Sequence, residues 1–355
     1  MPGVSIVAVM EESKRQHSVE KLRRRTLRDA SDPLSYPPAV FVSYYRLNKE
    51  AFIMVLEKLS PHLKSSTIPQ IIQLSTTPRF LATGAFQGVI AKDVDISLGR
   101  STVSTLMWRV INAAESKICP QWIKIEMTTE EKLSSKTYFF QKCQIPGVVG
   151  CIDGTHVKIN KPCEDESLYL NRKGTFSVNA MIICDNNMKV RAVDARRPGS
   201  CHDSFVWKLS RARQFFLHNS SNGDTNSWLL GDSGYGLEPF LLTPYKDVSS
   251  GTPEHKFNNK HASGRNIVER IIGVLKSRFR CLLGTLLYTP QKVVQIINVC
   301  CALHNICREF NIEFEEDSMD GNIENNDVDE VEDLSERNMF NIAKRLRDSI
   351  AAQLT

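Results

Sequence analysis

Three acidic residues are spaced so that a sheet and a helix could bring them together. Asp153 closes the apolar run GVVGCI, Asp232 closes the run WLLG, and Glu269 lies one turn into a predicted helix, RNIVERIIGVLKSRFRCL. Ligands collect where strands end in α/β proteins, and carboxylates in a small volume repel one another unless cations lie between them. Carboxylate oxygens are the ligands that Mg²⁺ and Mn²⁺ prefer. We therefore predict a hard-cation site, with two ions about 4 Å apart promoting hydrolysis or strand transfer at a phosphodiester.

Each acid also has a simpler interpretation when it is considered alone. Asp153 could belong to a tight turn, Asp232 could cap a local turn, and Glu269 could pair with Arg265 or Arg270. Their joint placement, beside small residues that let a phosphate backbone approach, favours the cation site. Those small residues are Gly154 and Thr155 after the first acid, and Ser233 and Gly234 after the second.

One face of the predicted helix extends the same idea. Glu269, Gly273, Lys276 and Arg280 follow one another at intervals of about one turn. Because Gly costs about 1 kcal/mol relative to Ala inside a helix, Gly273 predicts a close approach on this face. A helix with this stripe would hold metal at one end and phosphates along the rest. We therefore predict that Lys276 supports the site or contacts substrate, and that Arg280 binds nucleic acid.

The sheet that would carry these acids begins at about residue 147. Short segments rich in β-branched residues, separated by turn residues at 153–154 and 186–187, are typical of strands. A helix from about Ser204 to Phe216 follows, then a strand in SWLLGDSGY and a second long helix that starts at Thr289 and Pro290. We predict an α/β domain over 147–312, a mixed sheet with helices on its faces. The first four strand segments are GVVGCID, THVKINK, FSVNAMIICD and MKVRAVDARR.

Residues 43–116 have a helical pattern instead. Asn48 can cap a helix over NKEAFIMVLEKL, and Thr77 with Pro78 marks a second start. The stretch DVDISLGRSTVSTLMWRVINAA predicts a short helix, a turn at Gly99 and a helix capped at Ser101, the outline of a helix-turn-helix. The same outline occurs in bundles that only brace a larger domain. The candidates for DNA contact, at the start of the second helix, are Arg100, Ser101, Thr102 and Ser104.

Charge is distributed unevenly along the chain. The formal net charge is +5, but residues 313–333 hold eleven Asp and Glu and no Lys or Arg, so the remainder carries about +16. A basic body suits a polyanion such as DNA, although such charges can also simply solvate a surface. We expect an acidic disordered segment at 313–333, a C-terminal helix or tail at 334–355 that could dock a partner, and a basic, Pro-containing tail at 1–42. The run KLRRRTLR in that tail fits nuclear import, a solvated helix or a phosphate-binding arm equally well.

The bulk composition is that of an ordinary globular protein. With 355 residues, 41% apolar and 24% charged, the chain can form one large domain or two moderate ones. No apolar run reaches eighteen residues and no secretory leader is present, so we expect a soluble intracellular protein with no membrane partner. Ten cysteines without a C-x-x-C pair predict reduced, mostly buried thiols. Cys300, His304 and Cys307 share one helix face, but a zinc site would need a fourth ligand from elsewhere.

Five ordered blocks resemble the PIF/Harbinger transposase superfamily, and most of all its transposase-derived nucleases, which animals keep as host genes. The segments LATGAFQ and STVSTLMWRV resemble the same proteins, so the resemblance covers roughly residues 45–310. The five blocks are CIDGTHVKI (151–159), NRKGTFSVNAMIICD (171–185), RRPGSCHDSFVW (196–207), LLGDSGYGLEPFLLTPY (229–245) and NIVERIIGVLKSRFRCL (266–282).

The resemblance implies a ribonuclease H-like fold, a DDE triad and a divalent cation, Mg²⁺ or Mn²⁺. The positions that match the triad are Asp153, Asp232 and Glu269. His202 and Asp203 match a family string and are predicted to support the site or contact substrate. The resemblance also implies DNA as substrate and a Myb/trihelix-type DNA-binding partner that carries sequence recognition and nuclear import. We therefore expect a nuclear protein that resides in the cytoplasm until such a partner imports it.

The chain departs from the family pattern at one place. Gly236 stands where Pro often follows the GDSGY string, and this is expected to loosen the turn and little else. The leading hypothesis is a transposase-derived, metal-dependent DNA endonuclease, either an intact transposase or a domesticated host nuclease. The rival is a DNA-binding adaptor that has kept the fold and lost the reaction, which a functional Asp153→Asn variant would favour. An RNA nuclease is a third interpretation, which parallel digestion of DNA and RNA would test.

Overall fold

The structure, a computed structural model, describes residues 6–313 and 334–354. The chain divides into two compact units, Met1–Lys117 and Ile118–Thr355. Within the described ranges, no helix combines the length and apolarity needed to cross a bilayer. Apart from residue 313, the predicted acidic segment at 313–333 lies outside the described residues.

The described part of the first unit contains helices and no strand, as the helical pattern predicts. The predicted tail at 1–42 contains a 24-residue helix, α1, most of whose side chains are exposed. The elements are α1 (Ile6–Asp29), a 3₁₀ turn (Pro33–Ser35), α2 (Pro38–Tyr45), α3 (Lys49–Leu59), a 3₁₀ turn (Ser60–His62), α4 (Gln70–Thr83), α5 (Gln87–Ile90) and α6 (Arg100–Lys117).

Two predicted helix starts in this unit have different outcomes. Asn48 caps α3 as expected, since its side chain accepts a hydrogen bond from the Ala51 N–H at 2.9 Å. The predicted start at Thr77 is wrong, because α4 already begins at Gln70 and runs through Pro78. Proline inside a helix removes a backbone hydrogen bond. Most of α4 is nevertheless buried and packs against α6, and this burial outweighs the lost bond.

A short helix, a turn and a longer helix do occur: the longer helix is confirmed to within two residues of its predicted start, whereas the short helix is not where the sequence predicts it. The predicted short helix in DVDIS forms turns, and the short helix α5 lies earlier in the chain. The second helix begins at Arg100 rather than behind a Ser101 cap. Its first hydrogen bond explains the shift, because the Gly99 carbonyl already accepts from the Val103 N–H at 2.9 Å.

The second unit is built on a five-stranded sheet in the order β3-β2-β1-β4-β5. β2 pairs antiparallel with β1 and β3, whereas β4 pairs parallel with β1 and β5. This is the ribonuclease H-like mixed sheet, and it confirms the predicted α/β fold class. The strands are β1 (Val148–Lys158), β2 (Ser177–Cys184), β3 (Val190–Pro198), β4 (Trp228–Leu230) and β5 (Leu241–Leu242).

Helices flank this sheet: α8 and α12 pack against β1, α13 against β3, α10 against β2, and α14 against α12 and β5. The predicted helix over 204–216 is in fact two helices, because the Ser210 side chain starts a new one by accepting from the Arg213 N–H at 3.0 Å. The helices are α7 (Cys119–Trp122), α8 (Thr129–Cys143), α9 (Glu166–Tyr169), α10 (Asp203–Lys208), α11 (Arg211–Ser221), α12 (Pro253–Arg278), a 3₁₀ turn (Arg280–Leu282), α13 (Pro290–Glu309) and α14 (Leu334–Gln353).

Alternate residues of β1 face different helices. Ile152 belongs to an apolar core with Trp207 of α10 and Phe216 of α11. Its neighbour Cys151 points the other way, with Sγ 3.5 Å from the Gly264 carbonyl oxygen of α12. Side chains in a strand alternate between faces, so Asp153 shares the α12 side with Cys151.

Two further expectations concern the cysteines and α13. All ten cysteines are free and eight of them are buried, which confirms the prediction of reduced, mostly buried thiols. His304 Nε2 lies 2.9 Å from the Met188 carbonyl oxygen. The predicted start of α13 is also confirmed, with Thr289 as its N-cap and Pro290 as its first residue.

Candidate active site

Strand register places Asp153 and Asp232 at the same level of two neighbouring strands. Cys151 in β1 is the parallel partner of Leu230 in β4, and each aspartate lies two residues beyond its paired residue. The expectation that each acid follows the end of a strand is confirmed for Asp232, which comes after β4, and is wrong for Asp153, which lies inside β1.

Asp153 and Gly154 do not form the predicted turn. They continue β1 without a break, because Asp153 pairs with Ile182 and Gly154 with Met181. The glycine has another use: a Cβ at position 154 would collide with the Asp203 carboxylate. Gly154 thus leaves a notch in the strand that Asp203 fills.

Gly264 allows α12 to pack closely against β4, next to the two aspartates. A Cβ on Gly264 would lie 2.7 Å from Leu230 Cδ1 and 3.2 Å from Cys143 Sγ, so a larger residue would push the helix away. The next turns of α12 carry Arg265 and Glu269. The prediction that Glu269 lies one turn into its helix is wrong, since α12 begins at Pro253. We call Asp153, Asp232 and Glu269 the acidic edge.

Arg265 lies between two members of the acidic edge. Its Nη2 is 3.3 Å from Asp153 Oδ2, and its Nη1 is 3.6 Å from Glu269 Oε1. The Arg265 side chain is only 12% exposed, and its Nε has no hydrogen-bond partner in the part of the chain that the structure describes. The pairing of Glu269 with Arg265 is therefore present, at a distance longer than a strong charge-assisted hydrogen bond.

Burial and like charge make the aspartates reluctant to ionise. Burial, opposed by Arg265 and reinforced by Asp232 and Asp203, raises the pKa of Asp153 to about 7. Burial also raises the pKa of Asp232 and of Asp203 above the ordinary range. One arginine thus fails to compensate the negative charge, and perturbed carboxyls of this kind are typical of functional sites.

The carboxylate oxygens of the acidic edge are suitable ligands for a divalent cation. In the structure, however, Asp153 and Glu269 are spaced to accommodate the Arg265 guanidinium between them. Among residues 6–313 and 334–354, no three acidic, histidine or cysteine side chains already enclose a common metal position. Arg265 lies between Asp153 and Glu269 and supplies positive charge that a cation would otherwise bring. Oxygen ligands alone, with excess negative charge, remain the donor set that Mg²⁺ and Mn²⁺ prefer.

Asp203 and His202 take different positions. The Asp203 carboxylate accepts a hydrogen bond from Asn179 Nδ2 at 2.7 Å and lies against Gly154, next to the acidic edge. His202 turns toward Arg172, whose Nη2 is 2.9 Å from His202 Nδ1. Asp203 is therefore positioned to support the acidic edge, while His202 contacts a basic side chain beside it.

The predicted basic stripe on α12 is only partly present. Lys276 donates to the His156 carbonyl oxygen at 3.0 Å, and burial together with Lys158 lowers its pKa to about 8. No atom of the described protein lies within 4 Å of a Cβ at Gly273, so the close approach predicted there does not come from this part of the chain. Arg280 is exposed in the 3₁₀ turn after α12 and does not continue the helical stripe.

The DNA-contact candidates of the first unit lie at the start of α6. Arg100 and Ser101 are exposed in its first turn, whereas Thr102 and Ser104 are half-buried. The exposed pair is available to a ligand. Contact of these residues with DNA stays a prediction.

Two residues near the acidic edge went largely unnoticed in the sequence. The sequence analysis names Arg265 only as an alternative partner of Glu269. Its position four residues before Glu269 on the same helix is the sequence feature that predicts a contact between the two. Tyr235 was not singled out at all. Its buried hydroxyl has no hydrogen-bond partner among the described residues, and burial, with Asp203 and Asp153 adding to the effect, raises its pKa well above the ordinary value. No spacing rule predicts that position.

A ribonuclease H-like sheet with two aspartates at one edge and a glutamate delivered by a helix defines the class of DDE nucleic-acid enzymes. Comparison with known proteins agrees, since residues 152–305 match the family described as DDE superfamily endonuclease. The chain is 30% identical to "Putative nuclease HARBI1" of Bos taurus over 293 residues, 82% of this chain and 81% of that protein. It is 31% identical to the protein of the same name in Rattus norvegicus over 267 residues, 74% of each chain. This chain therefore belongs to the Harbinger-derived branch of the DDE superfamily endonucleases.

Plant relatives are similar over a smaller part of their length. "Protein ALP1-like" of Arabidopsis thaliana is 29% identical over 257 residues, 68% of this chain and 60% of that protein. No solved structure matches the chain.

Proposed function

We propose that this chain is a divalent-metal-dependent endonuclease that hydrolyses phosphodiester bonds in DNA. One observation carries the proposal: Asp153 and Asp232 lie at the same level of neighbouring strands, Arg265 of α12 lies between Asp153 and Glu269, and these carboxylates outnumber the single arginine. Asp153, Asp232 and Glu269 would hold the metal. When bound, Mg²⁺ or Mn²⁺ supplies activation of the attacking water and stabilisation of the leaving oxygen.

The chain's own residues perform the remaining tasks. Asp203, held by Asn179 and seated against Gly154, fixes the position of the strand that carries Asp153. Arg265 offsets part of the negative charge of the acids before a ligand arrives. Its long side chain and unpartnered Nε allow it to turn toward a phosphate afterwards. Lys276, with its pKa lowered to about 8, can hold or release a proton near neutral pH.

A nicking assay on supercoiled plasmid tests the proposal directly. Purified wild-type protein is expected to nick DNA with Mg²⁺ or Mn²⁺ and not with EDTA, and Asp232→Asn is expected to lower the rate by about a thousandfold, because metal ions contribute several kcal/mol to such reactions. Asp165→Asn is a matched control: Asp165 is exposed, makes no side-chain cap bond, and has a φ of 49°, which Asn adopts readily. Equal rates for the two variants would contradict the assignment of the acidic edge.

The same assay separates related reactions. A labelled strand with a free 3′-hydroxyl, added to the reaction, would become joined to the plasmid if the site performs strand transfer. RNA offered beside DNA would be cut preferentially by an RNA nuclease. We propose hydrolysis of DNA, so we expect neither outcome.

A DNA-binding adaptor without catalysis is the second candidate, and Arg265 favours it. An arginine that neutralises Asp153 and Glu269 is also what a disused metal site would contain. The adaptor would bind DNA equally well with Asp232 replaced by Asn and would nick nothing under any metal. If neither protein nicks DNA and the wild type and Asp232→Asn bind DNA with equal affinity, the chain is the adaptor.

The partner and the compartment belong to the same proposal. We expect a Myb/trihelix-type DNA-binding protein to supply sequence recognition and to bring this chain into the nucleus. Imaging of the tagged full chain, alone and with such a partner co-expressed, tests this. Nuclear accumulation that does not change with the partner would contradict partner-dependent import.

A further inference from the structure

A cavity of about 550 Å³ lies beside the loop that follows Asp232. Ser233 and Gly234, the two residues after that aspartate, line one side of it. The other side is lined by α14, through Phe340 and Lys344 among others. The cavity therefore lies between the loop that follows Asp232 and the C-terminal helix, within the second unit.

The walls of this cavity are strongly basic. Among the described residues, five cationic side chains and one carboxylate, Glu238, line it. Glu238 is already engaged by Trp207 Nε1 at 2.9 Å and Arg213 Nε at 2.7 Å. The lining therefore favours an anion. The cations are Lys208, Arg213, Lys246, Lys344 and Arg347.

Aromatic rings complete the lining. Phe340 on α14 is 37% exposed, so part of its ring is open to a ligand. Tyr245 also lines the cavity, and the Arg347 guanidinium stacks over its ring, 3.8 Å from the ring centroid. Basic grooves with aromatic platforms are what single-stranded nucleic acids bind, through their phosphates and the faces of their bases.

Buried polar atoms on the cavity residues lack partners. The hydroxyls of Tyr235 and Ser204 and the Nε of Arg347 are buried and make no hydrogen bond within the described ranges. All three residues line the cavity and are at most 8% exposed. Buried polar groups in native proteins nearly always have partners, so these atoms are suited to a polar ligand.

We propose that this cavity binds a nucleotide of the DNA strand next to the bond that the acidic edge cuts. The inference rests on the proposed nuclease function. The volume is within the usual range for small-molecule sites and suits a single nucleotide. The negative phosphate suits the cationic lining, which includes the exposed Lys344, and the base suits the partly exposed ring of Phe340. The strand enters past Ser233 and Gly234, so the cavity holds the flanking nucleotide while its neighbour lies at the acidic edge.

The test measures binding without catalysis. Fluorescence anisotropy of a labelled oligothymidylate of six nucleotides, in EDTA and at several salt concentrations, gives the affinity and its salt dependence. Lys344→Ala is expected to reduce the slope of log K against log[salt] by about 0.7, the loss of one phosphate contact on a single strand. Arg345→Ala is the matched control, because Arg345 is the next residue of α14, is exposed and does not line the cavity.

A second pair of variants examines stacking. Phe340→Ala is expected to weaken binding about tenfold, as loss of a base–aromatic contact does. Ile342→Ala removes another exposed apolar side chain of α14, one that does not line the cavity, and is expected to leave the affinity unchanged. Circular dichroism of each variant establishes that α14 stays folded.

The outcomes separate this inference from the nuclease function. Metal-dependent nicking together with equal effects of Lys344→Ala and Arg345→Ala would overturn the cavity and leave the nuclease intact. Selective effects of Lys344 and Phe340 without any nicking would support the cavity and overturn the nuclease. Failure of the wild type to bind the probe would overturn the cavity, as would competition by thymidine 5′-monophosphate as strong as by the oligonucleotide, which would assign the cavity to a free nucleotide.

Discussion

Two arginines of the second unit lie between carboxylates, and they differ in how completely the charges are satisfied. Arg191 bonds both Asp185 and Glu131 at 2.7 Å, and the Asp185 side chain is fully buried. Asp185 also accepts hydrogen bonds from the backbone N–H groups of Asn187 and Lys189, at 2.8 and 3.0 Å. Each oxygen of this aspartate therefore has a partner, and the cluster is a structural one.

Arg265 lies farther from its two acids and faces more of them. Its distances to Asp153 and Glu269 are 3.3 and 3.6 Å, while Asp232 and Asp203 add further negative charge. At Arg191 the charges of the arginine and its carboxylates are balanced by partners within the protein. At Arg265 it leaves a deficit of positive charge that an outside cation can correct. The difference teaches that the residue types alone do not distinguish a structural ion cluster from a ligand site.

The largest expected effect comes from making the same change in both clusters. Asp185→Asn should lower the free energy of unfolding by about 2–4 kcal/mol, because it removes one of the two carboxylates that pair with the buried Arg191. Asp153→Asn should instead raise it by about 1–3 kcal/mol in EDTA at pH 8, because the wild-type carboxyl, with a pKa of about 7, must ionise in a buried site. Urea unfolding measures both. Destabilisation of similar size in the two variants would abolish the distinction.

The pH dependence of that second effect has a definite sign. The folded protein keeps a proton on Asp153 that the unfolded chain releases, so this group's favourable contribution to stability is lost as pH rises from about 4 to about 7. The stability gap between Asp153→Asn and the wild type should therefore widen over that range and stay constant above it.

Metal should recognise one cluster and not the other. Mg²⁺ or Mn²⁺ at a hundred times its dissociation constant should stabilise the wild type by about 2.7 kcal/mol, because a ligand that binds only the folded state shifts the unfolding equilibrium. The Asp185→Asn variant should keep this thermal shift, and Asp153→Asn should lose it. A shift that survives in Asp153→Asn would place the metal away from the acidic edge.

Activity should respond to pH through the same carboxyl. Metal-dependent nicking should fall by about tenfold per unit below pH 7, since protonation of Asp153 competes with the cation. Excess metal should move the midpoint to lower pH. A midpoint near pH 4 that metal does not move would indicate that Asp153 is no ligand.

The smallest expected effect concerns the two glycines of α12. Gly264→Ala should lower stability by about 1–3 kcal/mol, because the added methyl would lie 2.7 Å from Leu230 and force α12 off the acidic edge. Gly273→Ala should raise it by up to about 1 kcal/mol, because that position is open and Ala favours helix. Thermal unfolding compares them. A loss of DNA affinity in Gly273→Ala, without loss of stability, would support approach of a phosphate backbone there.

The sequence predicts the fold well where periodicity and capping act locally. Asn48 and Thr289 start helices as expected, and segments rich in β-branched residues mark the strands of the mixed sheet. It fails at Asp153 and Gly154, where an Asp-Gly pair that is typical of turns lies inside β1. Gly154 is needed there because the carboxylate of Asp203, about fifty residues further along the chain, occupies the space of a Cβ. A rule based on neighbouring residues cannot predict that contact.

The candidate site shows the same limit. The three acids could be chosen from strand ends and a helix, but the occupancy of their space by Arg265 depends on α12 crossing β4 at Gly264. That crossing is a tertiary contact. The long start of α12 was also missed, although Thr252 and Pro253 repeat the capping pair that marks α13.

The register of β1 and β4 determines on which face of the sheet the two aspartates lie. Asp153 and Asp232 both stand an even number of residues beyond a paired position, Cys151 and Leu230. Inserting one residue between Cys151 and Asp153 would turn the acid to the opposite face, toward α10, whereas inserting two would preserve its side and only lengthen the strand. The number of residues between Cys151 and Asp153 can therefore change only in steps of two if the carboxylate is to stay on the α12 side of the sheet. Insertions of one or three residues here should disrupt the acidic edge, whereas an insertion of two should preserve its orientation.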